Sequence, residues 1–125
     1  MPDQGLTVVV LGASDKPERY SNRAVRLLLE HGHVVIPVHP SLQTVEGLTV
    51  VPSLARVPRP VDTLTVYVSP TIGATLEGPI LALAPRRVIF NPGSEAPSLV
   101  PALEAAGIEV VQNCTLVMLG LGSFA

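Results

Sequence analysis

The segment VVVLGASDKPERYSNRAVRLLL, residues 8–29, decides the fold of this chain. An apolar, β-branched run ends at Gly12, a polar loop with basic residues follows, and an amphipathic helix then begins. A strand, a glycine turn and a helix N-terminus together present free backbone N–H groups and the positive end of the helix dipole to one place. The segment therefore predicts a site for a phosphorylated ligand.

The rest of the chain alternates short apolar runs with helical segments. We predict five strands at residues 6–11, 33–38, 64–68, 87–90 and 108–111, and an additional short strand is left open at residues 48–51. Such alternation indicates βαβ units with right-handed crossovers and a parallel sheet. The predicted fold is a single α/β, Rossmann-like domain over residues 1–125: a doubly wound sheet of about five parallel strands in the order 3-2-1-4-5, with helices on both faces.

Three further expectations concern the first helix, the helix after the third strand and the tail. We expect Ser21 or Asn22 to cap the first helix, which runs to about His31 before a glycine. The helix after the third strand contains Pro79, and proline in a helix interior costs ~3 kcal/mol. We therefore expect a kink or two short segments meeting at Pro79. The apolar tail, residues 114–125, fits an edge strand or an oligomer contact.

Composition excludes several classes of function. The chain has 125 residues, a formal net charge of −2 and four aromatic residues among Phe, Tyr and Trp, so neither a basic face for nucleic acid nor a base-stacking platform is expected. Cys114 is alone, which excludes an intrachain disulfide. We see no secretory signal and no apolar run of the ~18 residues that a membrane span needs. We expect a cytoplasmic protein with no nucleic-acid or membrane partner, and the mean hydropathy of +0.47 leaves a homo-oligomer open.

The loop after the first strand is long and charged. A strand-to-helix connection needs only ~2–6 residues, so this loop favours ligand binding over a plain connection. Ser14 and Ser21 supply hydroxyl groups, and Arg19 and Arg23 can each hold phosphate oxygens through paired N–H groups. Clustered cations in an acidic chain indicate a small anionic ligand.

Two competing interpretations are weaker. An NAD site has the pattern G-x-G-x-x-G and an acidic residue at the end of the second strand, where this chain reads Val38-His39-Pro40. NAD is therefore disfavoured. His39 could serve as a base or pack against an adenine, and Cys114 could be a nucleophile, but no partner residues complete a catalytic set. The histidines also lack the spacing of metal ligands.

The chain resembles the CoA-binding domain family, a stand-alone Rossmann-like group related to the N-terminal domain of the succinyl-CoA synthetase α subunit. The segments that carry the resemblance are VVVLGASDKPERYSNRAVRLLLEHGHVVIPVHP, VEGLTVVPSL, VDTLTVYVSP, FNPGS and AAGIEVVQNC. The chain departs from the family at His39, where asparagine is usual, and at Asn91, where glutamine is usual. Its tail is apolar where the family's is polar, and the synthetase domain that carries the phosphorylated histidine is absent from this sequence.

The resemblance implies a bound coenzyme A (CoA) or acyl-CoA. Its pyrophosphate would lie on the glycine turn and helix N-terminus, its adenine near the end of the second strand, and the loops after the third and fourth strands would line the site. Carried onto this sequence, the candidate cofactor-binding residues are Gly12, Ala13, Ser14, Lys16, Arg19, Tyr20, Ser21, Arg23, His39, Pro40, Pro52, Ser53, Val68, Ser69, Pro70, Asn91, Pro92 and Gly93.

The predicted function is binding of CoA or an acyl-CoA at the carboxyl edge of the sheet, without catalysis by this chain. The alternatives are an NAD(P)-linked oxidoreductase and a subunit of an acyl-CoA ligase whose partner chain supplies the catalysis. No catalytic residue and no metal ligand is assigned.

Overall fold

The computed structural model describes residues 5–125, and parallel strands form its centre. The helices and strands are, in chain order, β1 (Thr7–Leu11), α1 (Tyr20–Glu30), β2 (Val34–Val38), β3 (Thr44–Val45), β4 (Leu48–Thr49), β5 (Thr63–Val66), α2 (Pro70–Gly73), α3 (Glu77–Leu83), β6 (Arg87–Phe90), α4 (Val100–Ala105), β7 (Glu109–Gln112) and α5 (Thr115–Leu121). Single 3₁₀ turns lie at Leu54–Arg56, Ala74–Leu76 and Pro97–Leu99. The predicted α/β class and the five long strands are confirmed, with ends displaced by one or two residues.

The main sheet has the order β2-β1-β5-β6-β7, and every neighbouring pair is parallel. Outside β2, Val51 forms an isolated parallel bridge with Val38. With Val51 counted as a third strand position, the sheet has the predicted doubly wound order 3-2-1-4-5, continued outward by β7. The short pair β3-β4 forms a separate antiparallel hairpin.

The assignment of residues 64–68 to that third position was wrong. This segment is β5, and it pairs with β1 instead of lying outside β2. All four residues of β5 are buried, as expected for a strand between two others with helices above and below. The free edge of β2 is taken by Val51, whose N–H donates to the Pro37 carbonyl at 2.9 Å.

Helices cover both faces of the sheet, as predicted. Successive residues of β1 point to opposite faces, so Val9 and Leu11 join the core beneath α3, α4 and the turn Leu54–Arg56. Val8 and Val10 join the core beneath α1 and α5. The two apolar layers explain the unbroken β-branched run in β1.

The start of α1 differs from its prediction. Arg19 occupies the N-cap position and provides no side-chain hydrogen bond, so the expectation that Ser21 or Asn22 caps the helix was wrong. Both residues are buried within the first turn. The end of α1 is as predicted, with His31 at the C-cap and Gly32 following at a φ of +83°.

The middle helix and the tail also differ in detail. The helix after β5 is broken, as expected, but the break is the 3₁₀ turn Ala74–Leu76 and not Pro79. Pro79 lies in the first turn of α3, where the missing N–H has no intrahelical partner to lose. The tail forms α5, not an edge strand, because Met118 and Phe124 bury their side chains in the core over the sheet. The oligomer contact stays a prediction. Within residues 5–125, no helix has the length and apolar character needed to cross a bilayer.

Candidate functional site

A cleft of about 770 Å³ opens at the carboxyl edge of the sheet. The loops that follow β1, β2, β5 and β6 all contribute to it, and β1 and β5 lie at the point where the chain switches from one face to the other. Ligands of doubly wound folds bind at this switch point. The lining residues are Gly12, Ala13, Ser14, Asp15, Lys16, Arg19, Tyr20, Ser21, His39, Pro40, Leu42, Tyr67, Val68, Ser69, Ile72, Pro92, Gly93 and Ser94.

Gly12 joins three strand ends at the floor of the cleft. Its N–H donates to the Val38 carbonyl at 3.0 Å, and the N–H of Ala13 donates to the same oxygen at 3.2 Å. Gly12 has a φ of +86°, and a Cβ there would lie 3.0 Å from Val68 Cγ1 and 3.1 Å from the Tyr67 carbonyl carbon. Glycine is therefore required both by the backbone angle and by the close approach of β5.

The side chains of Asn22 and Arg26, both on α1, hold the loop after Gly12 in place. The Asn22 amide donates to the Ser14 carbonyl at 2.9 Å, and the Arg26 guanidinium donates to the Pro17 carbonyl at 2.7 Å. Arg26 Nε also donates to the Asn22 side-chain oxygen at 2.8 Å. The Lys16 N–H donates to the Ser14 hydroxyl at 3.1 Å. The loop is thus held from beneath by α1, and Arg26 serves this support.

The cleft is lined by two cations, Lys16 and Arg19, and by one carboxylate, Asp15. Lys16 and Arg19 are exposed and line it, and α1 has no acidic residue in its first turn. Because Arg19 supplies no cap, the first-turn N–H groups of Tyr20 and Ser21 are not satisfied by a side chain of the N-cap residue. A helix N-terminus of this kind, flanked by cations, favours a bound anion such as a phosphate.

Arg23 does not line this cleft. Its guanidinium lies over the Tyr20 ring, 5.4 Å from the ring centroid. It borders a second, smaller groove with Arg26, Leu27, Glu30 and Leu116. The structure therefore separates Arg23 from Arg19, although the sequence groups them.

The loop after β2 places His39 and Pro40 in the lining. His39 Nδ1 accepts the N–H of Ser41 at 3.1 Å and the N–H of Leu42 at 3.1 Å. Pro52 and Ser53 are exposed beyond the Val51 bridge and are not among the lining residues.

The loop after β5 contributes Val68 and Ser69. The Ser69 hydroxyl caps α2 by accepting the Ile72 N–H at 3.3 Å. Pro70 is the first residue of α2 and lies outside the lining.

Asn91 is buried behind the cleft instead of lining it, with 2% of its surface exposed. Its amide nitrogen donates to Thr65 Oγ1 at 2.7 Å and to the Val66 carbonyl at 2.9 Å, and its oxygen accepts the Thr115 N–H at 2.9 Å. Pro92 and Gly93, which follow it, do line the cleft. Asn91 thus ties β5 and α5 to the end of β6.

A family profile identifies the family to which this chain belongs. The profile described as "CoA binding domain" matches residues 6–120. The chain belongs to this CoA-binding domain family. A crystal structure of an uncharacterized protein is 40% identical, with a TM-score of 0.86 over 98% of this chain and 100% of that one.

Two further relatives belong to named bacteria. The structure of cell-free ID.343 from Thermus thermophilus is 35% identical, with a TM-score of 0.87 over 96% of this chain and 91% of that one. Uncharacterized protein YneT of Bacillus subtilis (strain 168) is 32% identical over 60 residues, which are 48% of this chain. That match spans 44% of the length of YneT.

Sequence reasoning missed five residues of the lining, which are Asp15, Leu42, Tyr67, Ile72 and Ser94. Each lies within three residues of a predicted site residue, so the extent of each loop was the available signal. Tyr67 differs from the rest because its hydroxyl is buried and makes no hydrogen bond within residues 5–125. Burial raises the pKa of this hydroxyl.

Nucleophile and metal chemistry find little support around the cleft. Cys114 is partly buried at the N-cap of α5 and is not in the lining. Within residues 5–125, no three side chains among His, Cys, Asp and Glu come together as metal ligands.

Proposed function

We propose that this chain binds coenzyme A or an acyl-CoA in the cleft and catalyses no reaction by itself. The observation that carries the proposal is that the N-terminus of α1, Lys16 and Arg19 all border the cleft. A pyrophosphate is the ligand group that suits this set, because the first-turn N–H groups of a helix and cationic side chains both favour phosphate oxygens. Membership of the CoA-binding domain family supports CoA as the cofactor that brings the pyrophosphate.

The size of the cleft suits a cofactor rather than an inorganic ion. Sites for small organic ligands have volumes of about 300–1,000 Å³, and this cleft has about 770 Å³. Apolar side chains, Val68 and Ile72 among them, also line the cleft. A ligand that carries both phosphates and a less polar arm matches this mixed lining.

The end of β2 argues against NAD. An NAD site needs a carboxylate there to accept hydrogen bonds from the ribose hydroxyls, and this position is His39. Glu46, in the turn between β3 and β4, accepts the Asn22 amide at 3.1 Å and is not in the lining. Asp15 is the carboxylate among the lining residues, and it follows β1, not β2.

The titratable groups of the cleft favour binding over catalysis. His39 uses Nδ1 to accept backbone N–H groups, so in the neutral ring Nε2 carries the proton and is no proton acceptor. Among the described lining residues, no hydroxyl, thiol or amine is hydrogen-bonded to a carboxylate or imidazole. The Ser41 hydroxyl, which is outside the lining, lies 3.4 Å from His39 Nδ1, and that nitrogen already accepts two backbone N–H groups. The proposal of binding without catalysis rests on this arrangement.

Charge reversal at two arginines tests the proposal. Arg19→Glu and Arg23→Glu change the net charge equally and lie one turn apart, but only Arg19 borders the cleft. We expect calorimetric titration with CoA to give saturable binding to the unmodified protein, a loss of affinity of roughly tenfold or more for Arg19→Glu, and less than threefold for Arg23→Glu.

The results that contradict the proposal are clear. Absence of CoA binding at millimolar concentration, or tighter binding of NAD than of CoA, would refute the cofactor assignment. Equal losses in both variants would mean that overall charge, not the cleft, governs binding. Release of free thiol from an acyl-CoA by the purified chain, above the rate in buffer, would refute the absence of catalysis.

A further inference from the structure

The two outer edges of the main sheet differ. The outer edge of β2 is covered by Val51, whose N–H donates to the Pro37 carbonyl at 2.9 Å and whose carbonyl accepts the His39 N–H at 3.2 Å. At the other side the sheet ends with β7, which pairs with β6. Among residues 5–125, no strand or bridge pairs with the outer side of β7. The sheet therefore has a covered edge at β2 and an open edge at β7.

The hydrogen bonds to the β6 segment show which backbone groups of β7 face outward. The N–H groups of Glu109 and Asn113 donate to carbonyl groups of that segment at 3.0 Å and 3.3 Å. Backbone groups of alternate residues along a strand point to opposite sides, so residues 109, 111 and 113 face β6. The N–H and carbonyl groups of Val110 and Gln112 consequently face the open edge.

The strand β7 lacks most features that keep an open edge from pairing. Open edges are blunted by lysine, proline, bulges or unusually short strands. The sequence of β7 is EVVQ, its register with β6 is regular, and it has four residues, as β5 and β6 do. Its charged side chain, Glu109, already lies 3.4 Å from Arg86 Nη1. The edge is therefore able to accept another strand.

The sequence of β7 is complementary to itself when two copies run antiparallel. With a two-fold axis at Val111, Val110 of one copy lies opposite Gln112 of the other, so their outward N–H and carbonyl groups bond across the edge. Glu109 of one copy then lies opposite Asn113 of the other, where a carboxylate meets an amide donor. The two Glu109 carboxylates lie at opposite ends of the pairing, so like charges do not meet.

Other symmetric registers are less favourable. If Val110 lay opposite itself, the two Glu109 side chains would occupy diagonal positions, at which long side chains still reach each other. Like charges in that arrangement repel. If Gln112 lay opposite itself, Val110 would face Cys114, which is already the N-cap residue of α5. The register centred on Val111 uses the whole strand and brings no like charges together.

We propose that two copies of this chain associate through β7, which pairs with β7 of the second copy in antiparallel orientation and joins the two sheets into one. Because Val51 covers the other edge, the pairing closes at two copies and does not extend into a filament. The residues that line the cleft lie outside β7 and α5, so each copy keeps its cleft open. The inference goes beyond the proposed function and does not depend on it.

The helix that follows β7 adds apolar area to a short strand pair. Val117 and Leu121 of α5 are 49% and 77% exposed, and residues four apart lie on the same side of a helix. A two-fold axis perpendicular to the joined sheet keeps both α5 helices on the same face. Two strands of four residues bury less surface than a tight complex needs, so we expect a dissociation constant in the micromolar range.

Gln112→Pro tests the pairing and leaves the bonds to β6 in place. The Gln112 N–H faces outward, so proline removes a donor to the second copy only. Gln112→Ala is the matched control, because it removes the same side chain and keeps the N–H. In sedimentation equilibrium we expect the unmodified chain and Gln112→Ala to form dimers with affinities within about threefold, and Gln112→Pro to lose roughly tenfold or more. Circular dichroism verifies that each variant is folded.

A disulfide tests the register and does not require the proline variant. Val111 lies opposite itself in a non-hydrogen-bonded pair, where the Cα atoms are about 4.5 Å apart, within the ~4.4–6.8 Å that a disulfide spans. We expect Val111→Cys to give a disulfide-linked dimer on mild oxidation. Val110→Cys, whose side chain lies opposite Gln112, should not. Both variants carry Cys114→Ser, so that the native thiol does not contribute.

The contrary outcomes are distinct. A chain that remains monomeric at millimolar concentration, or a Gln112→Pro variant that dimerises as tightly as Gln112→Ala, refutes association through β7. Equal crosslinking of Val110→Cys and Val111→Cys refutes the register. Growth into species larger than a dimer refutes closure at two copies. Calorimetric titration with CoA is a separate measurement, so failure of this inference and failure of the proposed function are distinguishable.

Discussion

Replacing Asn91 by alanine should cost far more stability than its position beside a surface loop suggests. The side chain joins the end of β6 to Thr65 and Val66 of β5 and to the first residue of α5, Thr115. Thr115 is fully buried, with 0% of its surface exposed. Its N–H is one of the first-turn donors that a helix leaves without a backbone partner. Asn91, which follows β6, therefore caps α5 from a distant part of the chain.

The magnitude follows from the hydrogen bonds that the substitution removes. Each buried hydrogen bond contributes about 1 kcal/mol net, and a buried donor left without an acceptor costs about 1–3 kcal/mol. The Val66 carbonyl keeps a backbone N–H at 3.4 Å, whereas the Thr115 N–H loses the acceptor that Asn91 supplies. We therefore expect a loss of about 3 kcal/mol in the free energy of unfolding, or roughly 10 °C in the midpoint for a domain of this size.

Urea unfolding followed by circular dichroism measures this loss, with Asn113→Ala as the matched control. Asn113 is exposed, and its side-chain oxygen accepts the adjacent Cys114 N–H at 2.7 Å. Because water can replace that bond, Asn113→Ala should cost less than about 1 kcal/mol. A loss below about 1 kcal/mol for Asn91→Ala, or equal losses in the two variants, would refute the assignment of a buried capping function.

Three further outcomes are expected. Gly12→Ala should destabilise the fold by about 2 kcal/mol in urea unfolding, because alanine is strained at a φ of +86° and its Cβ would press on the end of β5; an unchanged midpoint would contradict this. Burial lowers the pKa of His33 below 6.5, so the unfolded chain binds more protons and stability should fall as the pH drops below about 6.5. His33→Gln should flatten that pH dependence, and equal slopes would count against it. Burial raises the pKa of Tyr67, so its tyrosinate absorbance should appear at higher pH than that of free tyrosine, and Tyr67→Phe should remove this late absorbance; loss of absorbance in Tyr67→Phe at the pH where free tyrosine ionises would refute the burial argument.

Local patterns predicted the elements of the fold but not all of their neighbours. The β-branched run before Gly12 and the glycine after His31 mark the ends of β1 and α1 because both signals depend on a few adjacent residues. The position of β5 beside β1 could not be predicted in this way. Strand pairing joins distant segments, and an apolar run carries no information about which strand it will meet.

The residues of the candidate site also divide into those that local sequence predicts and those that depend on contacts between distant segments. The loop composition predicted a cleft with Gly12, Lys16 and Arg19, because a glycine turn and cations before a helix are local features. The sequence could not separate Arg23 from Arg19, since the separation depends on which side of α1 faces the cleft and which faces α5. Asn91 could not be recognised as a buried support, because its partners are 24 to 26 residues away.

The sequence by itself determined the α/β class, the five long strands and the four loops that open at one edge of the sheet. These follow from hydrophobic periodicity and turn residues, which act over a few positions. Only the tertiary structure decided the order of β5, the burial of Asn91 and the orientation of His39. Each of these depends on hydrogen bonds and packing between segments that meet after the chain has folded, and a polar side chain acquires its function from the partners it finds there.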